Sequence, residues 1–285
     1  MKDKKIGDAA SFDANWKTRE ESLYTHWTRG EVVNQIQLAF RNHWLLFSEL
    51  IEAANNFNGG KKVLEIGCGR GSLSCYFSDA GYDCTLVDLS ENVIEVAKKI
   101  FEINSLNANF VVGDANDLKI PSDTFDIIYS IGLLEHFEDV EVPIKEQIRV
   151  LRPGGIWFGY IVPHYEDNVQ RDFNWINEIL KGYHESSETG SVDKAEIYRS
   201  DFGSERYIPV LEKLGLQDVK ASGVYPLPMI SHSIDFPFSL MPDKSEAALV
   251  EYFKTLLESR AEKTGKNPWL CEEGCGNAFL VWGVK

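Results

Sequence analysis

The sequence has little positive charge and few cysteines. Its 285 residues carry 29 Lys and Arg against 44 Asp and Glu, a formal net charge of -15. Such a chain repels phosphate backbones, so DNA is not expected as a substrate and RNA is disfavoured. Five cysteines, an odd number, indicate reduced thiols rather than a disulfide framework. Cys271 and Cys275 are spaced C-x3-C without a second pair, so no metal site is expected.

Long apolar runs are also missing. None approaches the roughly 18 residues that a membrane-spanning helix needs. The first ten residues, MKDKKIGDAA, lack the apolar centre of a signal peptide. We therefore expect a soluble, cytoplasmic protein whose oligomeric state the sequence leaves open. What is present is an ordinary globular composition, 44% hydrophobic and 26% charged, in a chain long enough for one α/β domain with insertions.

The middle of the chain alternates between short apolar runs and helical patterns. This alternation predicts βαβ units, in which a mostly parallel sheet is covered by helices on both faces. The carboxyl ends of the strands in such a sheet meet at one edge, where ligands bind. We predict strands at 62–66, 83–88, 108–113, 125–131 and 155–162, with helices at 72–80, 91–105 and 139–151.

Three segments depart from this alternation. Residues 1–60 have apolar residues at helical spacing in their second half and predict an N-terminal helical lid on a core at 61–285. Residues 163–203 and 225–270 interrupt that core, and we expect them to form a substrate cap rather than separate domains. Around these insertions we predict helices at 205–214 and near 244–263, and strands at 217–222 and 277–284.

A glycine turn, KKVLEIGCGRGSLS at 61–74, joins the first strand of the core to its first helix. Gly67, Gly69 and Gly71 remove side chains where a ligand would approach the backbone, and they allow positive φ at little steric cost. The dinucleotide pattern G-x-G-x-x-G is not met, because the third glycine comes one residue early. Glu65 would repel a pyrophosphate but suits a ligand with an ammonium or sulfonium group. We therefore expect Glu65 to stay ionised near the ligand.

The pattern E-I-G-C-G-R-G at 65–71 resembles motif I of class I S-adenosylmethionine (SAM) dependent methyltransferases. Further landmarks of that family follow in order. Asp88, in LVDLS, stands where the family places a carboxylate on the ribose hydroxyls, and Asp114 and Ala115, in GDAND, match its adenine position. Several landmarks in register are far more specific than one glycine motif.

The resemblance continues into the second half of the core. FDIIYSIGLLEHF at 125–137 is similar to the family's strand-4 segment, and VLRPGG at 150–155 to its turn into strand 5. The closest resemblance is to the ubiquinone/menaquinone-type subgroup, often called type 11, and it covers residues 60–162 well. The long segment at 225–268 departs from the family pattern, so the resemblance does not identify the acceptor.

The resemblance implies a Rossmann-like sheet of seven strands, with the last one antiparallel, and SAM as the cofactor. It implies methyl transfer to an oxygen or nitrogen of a small-molecule acceptor by in-line displacement, which requires alignment and exclusion of water. A tRNA- or RNA-modifying methyltransferase and, in another class, a nicotinamide-dependent oxidoreductase are the alternatives. The implied cofactor-binding residues are Glu65, Gly67, Cys68, Gly69, Gly71, Asp88, Leu89, Asp114, Ala115 and, through its backbone, Ile131.

His136, in LLEHF after strand 4, is the candidate catalytic residue. A hydroxyl acceptor benefits from a general base whose pKa is near neutrality. The alternative is a histidine bonded to the loop or to Glu135, which would orient this segment. The predicted substrate contacts are His164 and Tyr165, just after strand 5, and Tyr24 and Trp27 in the lid, although aromatics in such a segment are more often core residues than binding groups.

Overall fold

The computed structural model describes residues 26–164, 168–185, 198–230 and 241–285. Within these ranges eight strands form one sheet, with helices packed around it. The strands are β1 (Lys62–Ile66), β2 (Asp83–Asp88), β3 (Asn109–Val112), β4 (Phe125–Ile131), β5 (Leu151–Ile161), β6 (Gln217–Val224), β7 (Leu270–Cys271) and β8 (Ala278–Val284). The helices are α1 (Gln35–Ala53), α2 (Ser72–Asp79), α3 (Glu91–Ile103), α4 (Glu141–Val150), α5 (Val169–Asp172), α6 (Asn174–Glu185), α7 (Ile208–Lys213) and α8 (Asp243–Thr264).

The strand order is β3-β2-β1-β4-β5-β8-β6-β7. The strands from β1 to β5 pair in parallel, and β8 runs antiparallel to both of its neighbours, β5 and β6. This confirms the mostly parallel α/β sheet with an antiparallel last strand, and the two-residue β7 adds an eighth strand to the seven expected. Strand order reverses between β1 and β4, and ligands bind at the carboxyl ends of strands beside such a reversal.

The central strands are mostly apolar because both faces of the sheet are covered. In β1, Val63 belongs to one apolar cluster and Leu64 to another, and neither is exposed to solvent. Double burial of this kind explains the continuous apolar run. The edge strand β3 differs, since its Val112 is 53% exposed. The well-buried strands β1 and β4 therefore provide the rigid support for the turns that follow them.

The N-terminal helix α1 packs together with the second insertion. The buried side chain of Gln35 accepts the Ile230 amide at 2.9 Å and lies 3.2 Å from a carboxylate oxygen of Glu246 on α8. Further along α1, the Nδ1 atom of His43 accepts a hydrogen bond from Nε1 of Trp269 at 2.9 Å. Helix α1 and residues 225–230 and 241–270 therefore form one layer, which we call the cover. Its role as a lid stays a prediction.

The longest described helix, α8, has 22 residues and belongs to this cover. Its Phe253 and Leu257 are buried in the main apolar cluster, whereas charged residues occupy much of its remaining surface. None of the helices in the described ranges is long and apolar enough to cross a membrane.

The first insertion returns to the sheet at residues 198–200. The Ser200 amide donates to the carbonyl oxygen of Glu135 at 2.8 Å, and the Ser200 carbonyl accepts the His164 amide at 2.8 Å. Residues 198–200 thereby connect the loop after β4 to the loop after β5. Both loops lie at the carboxyl edge of the sheet, so this segment becomes part of the wall of the site.

Candidate functional site

The glycine turn after β1 has the backbone conformation that its sequence predicts. Gly67, Gly69 and Gly71 have φ values of +66°, +52° and +64°, in the left-handed region that favours glycine. A Cβ atom on Gly67 would lie 2.9 Å from the Leu133 side chain, and one on Gly71 would lie 2.5 Å from the Leu86 side chain. The turn therefore has no room for side chains at these two positions, and it leads directly into α2.

Asp88 lies beside this turn and accepts a hydrogen bond from its backbone. One carboxylate oxygen accepts the Gly69 amide at 3.1 Å, and the other accepts the Ser90 amide at 3.1 Å. Ser90, rather than Asp88, caps α3, because its Oγ accepts the Val93 amide at 3.2 Å. The adjacent Leu89 is 49% exposed. A carboxylate and an exposed apolar side chain thus stand beside the glycine backbone, as a nucleoside site requires.

Glu65 lies in a buried hydroxyl network. Its Oε2 accepts hydrogen bonds from Ser74 Oγ at 2.6 Å and from the Tyr129 hydroxyl at 3.1 Å. Burial raises the pKa of Glu65 to about 8, against the lowering effect of these hydrogen bonds and with a further rise from Asp88. The carboxyl is therefore mostly protonated at neutral pH. A cationic ligand beside the carboxyl would favour its ionised form, so the expected charge of Glu65 and its contact with a cofactor both stay predictions.

Glu65→Gln should change how stability depends on pH. From the ordinary carboxyl pKa of 4.5 up to about 8, the folded protein holds a proton that the unfolded chain has released. The free energy of unfolding therefore falls as the pH rises through this window. Glutamine does not titrate, so the variant should gain roughly 1 to 4 kcal/mol relative to the wild type between pH 5 and pH 8, measured by urea denaturation.

The control for this measurement is Glu138→Gln, because Glu138 is an exposed glutamate. Its difference from the wild type should not vary with pH. If the difference between Glu65→Gln and the wild type is equally constant, Glu65 does not retain a proton in the folded protein.

The turn after β3 holds the residues predicted at the adenine position. Asp114 is exposed, and its Oδ1 accepts the Asn116 amide at 2.8 Å in a local turn. Ala115 is 8% exposed and packs in the apolar cluster on that face of the sheet. Ile131 ends β4 and pairs with Tyr160 of β5. These positions lie on neighbouring strand ends, and their cofactor contacts stay predictions.

His136 lies in a short 3-10 helix, Leu134–His136, close after β4. Its Nδ1 is 2.6 Å from the carbonyl oxygen of Tyr198, and because a carbonyl only accepts, Nδ1 carries the proton. Burial lowers the pKa of His136, against the raising effect of the Tyr198 carbonyl, and the charge of Arg199 lowers it further. The ring is therefore neutral at pH 7, with Nε2 as its basic nitrogen. His136 is bonded to a loop and is also suited to accept a proton.

Glu135 is the residue of this site that the sequence does not identify on its own. It is fully buried, and neither carboxylate oxygen receives a hydrogen bond of normal geometry from the described residues. Its Oε1 is 3.9 Å from Nε2 of His136 and 3.5 Å from the place that a Cβ on Gly132 would occupy. Its position beside His136 in LLEHF is the only sequence signal. The burial of Glu135 could not be predicted from hydrophobic periodicity, because a loop has no regular spacing of buried residues.

The predicted substrate contacts have different outcomes. His164 is exposed just after β5, where its backbone bonds Ser200. Trp27 is 6% exposed and packs edge-on against Tyr76, with ring centroids 6.1 Å apart, so it is a core residue. This favours the core alternative over a substrate contact. Tyr24 and Tyr165 lie outside the described residues.

The cysteines are all free thiols. Cys68, in the glycine turn, is buried, and its amide donates to the Val87 carbonyl at 3.1 Å. Cys271 is partly buried and Cys275 exposed. Among the residues that the structure describes, no group of three or more His, Cys, Asp or Glu side chains is arranged to hold a metal ion.

Comparison with known sequences identifies the family of the segment around this site. Residues 64–158 match Methyltransf_11, a methyltransferase domain. The ubiquinone biosynthesis O-methyltransferase of Coxiella burnetii is 41% identical over 124 residues, which cover 44% of this chain and 47% of that protein. The chain thus spans about half the length of the curated relatives it matches.

Solved structures agree with the fold. A SAM-dependent methyltransferase from Thermotoga maritima has a TM-score of 0.53 at 17% identity, over 99% of this chain and 100% of that chain. A phosphoethanolamine N-methyltransferase from Haemonchus contortus, in complex with S-adenosylhomocysteine, has a TM-score of 0.51 at 17% identity, over 86% of this chain and 52% of that chain. At these identities the likeness shows the architecture alone.

Proposed function

We propose that this chain, whose core is a class I SAM-dependent methyltransferase domain of the type 11 subgroup, methylates a small molecule. The methyl group would pass by in-line displacement to an oxygen or nitrogen of the acceptor. The observation that carries this proposal is the left-handed glycine turn bonded to Asp88, at the reversal of strand order. The Coxiella relative, an O-methyltransferase by name, makes oxygen the first atom to test.

The residues at the turn fit SAM. The left-handed glycine backbone brings the turn against Asp88, whose carboxylate is an acceptor for ribose hydroxyls. Burial raises the pKa of Glu65, and the positive charge of SAM would lower it again and favour the carboxylate as its partner. When bound, SAM supplies an electrophilic methyl group on a sulfonium. The chain supplies alignment and a cover that limits access of water.

His136 is the proposed base. It is neutral at pH 7, and its Nδ1 proton is held by Tyr198, so Nε2 can take the proton of an acceptor hydroxyl. Its place after β4 is on the carboxyl edge that also carries the glycine turn. His164 lies on the same edge and is proposed to contact the acceptor. A base at this edge would assist methyl transfer to a hydroxyl more than to an amine, because an amine acceptor needs only to be positioned.

The direct test is calorimetric titration with SAM and with S-adenosylhomocysteine, followed by transfer of radiolabelled methyl to catechol as a phenolic probe. Binding of both ligands is expected. If neither binds at millimolar concentration, the proposal is wrong. A change in NADH fluorescence on mixing would point instead to a nicotinamide enzyme, and a salt-sensitive shift of tRNA mobility to an RNA substrate.

Asp88→Ala should weaken SAM binding by about 2 to 3 kcal/mol, because it removes a charged acceptor for ribose hydroxyls. Calorimetry measures the change in dissociation constant, and thermal unfolding shows whether the turn still folds. The matched control is Asp83→Ala, an exposed aspartate at the opposite end of the same strand. An unchanged dissociation constant for Asp88→Ala would rule out its ribose role.

A further inference from the structure

Glu135 is a buried acid whose charge is poorly compensated. Its side chain is fully buried, and neither oxygen receives a hydrogen bond of normal geometry within the described ranges. A buried ionised carboxylate is costly unless a cation or several donors lie beside it. The titratable and charged groups that interact with it are His136, Arg199 and the hydroxyls of Tyr160 and Tyr207.

His136 lies close to this carboxylate. Oε1 of Glu135 is 3.9 Å from Nε2 of His136, and the two residues share one short 3-10 helix. Because Nδ1 is already bonded to the Tyr198 carbonyl, a second proton on the ring can only go to Nε2. That proton would place the positive charge of the imidazolium next to the buried carboxylate.

We propose that Glu135 is a positioning residue whose carboxylate stabilises the imidazolium of His136 during methyl transfer. This rests on the proposed function. In the step, Nε2 takes the proton as the O–H bond of the acceptor breaks and the oxygen–methyl bond forms. The methyl–sulfur bond breaks with its electron pair left on sulfur. One positive charge is thereby moved from the sulfonium to His136, where Glu135 stabilises it.

The electrostatics of the pair agree with this geometry. Burial raises the pKa of Glu135 to about 7, while the Arg199 charge and the amides of Glu135 and Val162 lower it. Burial lowers the pKa of His136. Titration of the two groups as a pair would bind one proton near neutral pH and a second at lower pH, and this is what the test measures. Above neutrality the pair consists of a carboxylate and a neutral imidazole, which is the form that acts as base.

The test compares the wild type with Glu135→Gln, both saturated with S-adenosylhomocysteine, by NMR titration of the histidine rings. Spectra of His136→Gln assign the His136 signals. In the wild type these signals should respond in two steps, with the upper step near pH 7. Glu135→Gln should lose the upper step and keep one at lower pH. Glu138→Gln, an exposed glutamate in the same loop, should behave as the wild type.

Activity supplies the second readout. With radiolabelled SAM and catechol, Glu135→Gln should lower kcat at least tenfold, move the acid limb of the pH profile to lower pH and leave SAM affinity unchanged. If the upper step of His136 persists in Glu135→Gln, the pairing is wrong. If kcat falls without any change in the pH profile, Glu135 is structural only. If the wild type binds no SAM, the proposed function fails, and the titration still decides the pairing.

Discussion

Replacing His136 by glutamine is expected to slow methyl transfer by about 10²- to 10⁴-fold, the usual contribution of a positioned general base. Glutamine cannot accept a proton at neutral pH, but its amide still has a donor for the Tyr198 carbonyl. Binding of SAM should therefore change little. Single-turnover rates with radiolabelled SAM and catechol, measured from pH 6 to pH 9, provide the check.

The matched control for this variant is Asp139→Asn. Asp139 is exposed in the same loop, and asparagine retains the oxygen that accepts the Glu141 amide. Its rate should equal that of the wild type. Added imidazole should partly restore the rate of His136→Gln if the ring is a base. A loss smaller than tenfold, without rescue, would mean that His136 only orients the loop.

Gly71→Ala should lower the free energy of unfolding by about 2 to 5 kcal/mol, because a left-handed backbone and an overpacked site add their costs. The new Cβ would lie 2.5 Å from Leu86 and 3.1 Å from Phe101, both buried. Either these side chains move or the turn does, so SAM affinity should fall as well. Urea denaturation and calorimetry measure the two effects.

Gly81→Ala separates the two contributions. Gly81 has φ of +80°, similar to Gly71, but nothing lies within 4 Å of the place its Cβ would take. The Gly81→Ala variant should lose only about 1 to 2 kcal/mol of unfolding free energy, which is the cost of the left-handed backbone conformation for alanine. Equal losses in the two variants would show that crowding at Leu86 contributes nothing.

Much of the fold follows from local patterns. The predicted bounds of β1, β2 and β4 coincide with the structure, since each is a short, mostly apolar segment close to turn residues. The start of β5 was predicted at residue 155, but pairing begins at Leu151, opposite Phe125. The pairing register then shifts before Ile156. The Pro-Gly-Gly sequence at 153–155 predicts a turn. Only the position of β4 shows that β5 already pairs with it at Leu151, before that turn.

The site was predictable where it depends on neighbours in the sequence. The glycine turn is local and is predicted from the spacing of its glycines. The raised pKa of Glu65 was not predictable, because it comes from burial, and the buried network around Glu65 includes Tyr129 from another strand, 64 positions along the chain. The surroundings of Glu135 depend on residues 198–200 in the same way. Burial determines the charge states of Glu65 and Glu135. Because segments distant in the sequence bury them, local patterns do not predict these charge states.

The cover joins the two ends of the described chain, and this has a consequence for folding. Gln35 bonds Glu246 across 211 positions, and His43 bonds Trp269 across 226. Contacts so distant in sequence close large loops, which is entropically costly and slow. During synthesis, β1 to β5 are complete before α8 has been made. The half of the sheet with the glycine turn is therefore expected to become ordered first during synthesis, while the cover can become ordered only after α8 has left the ribosome.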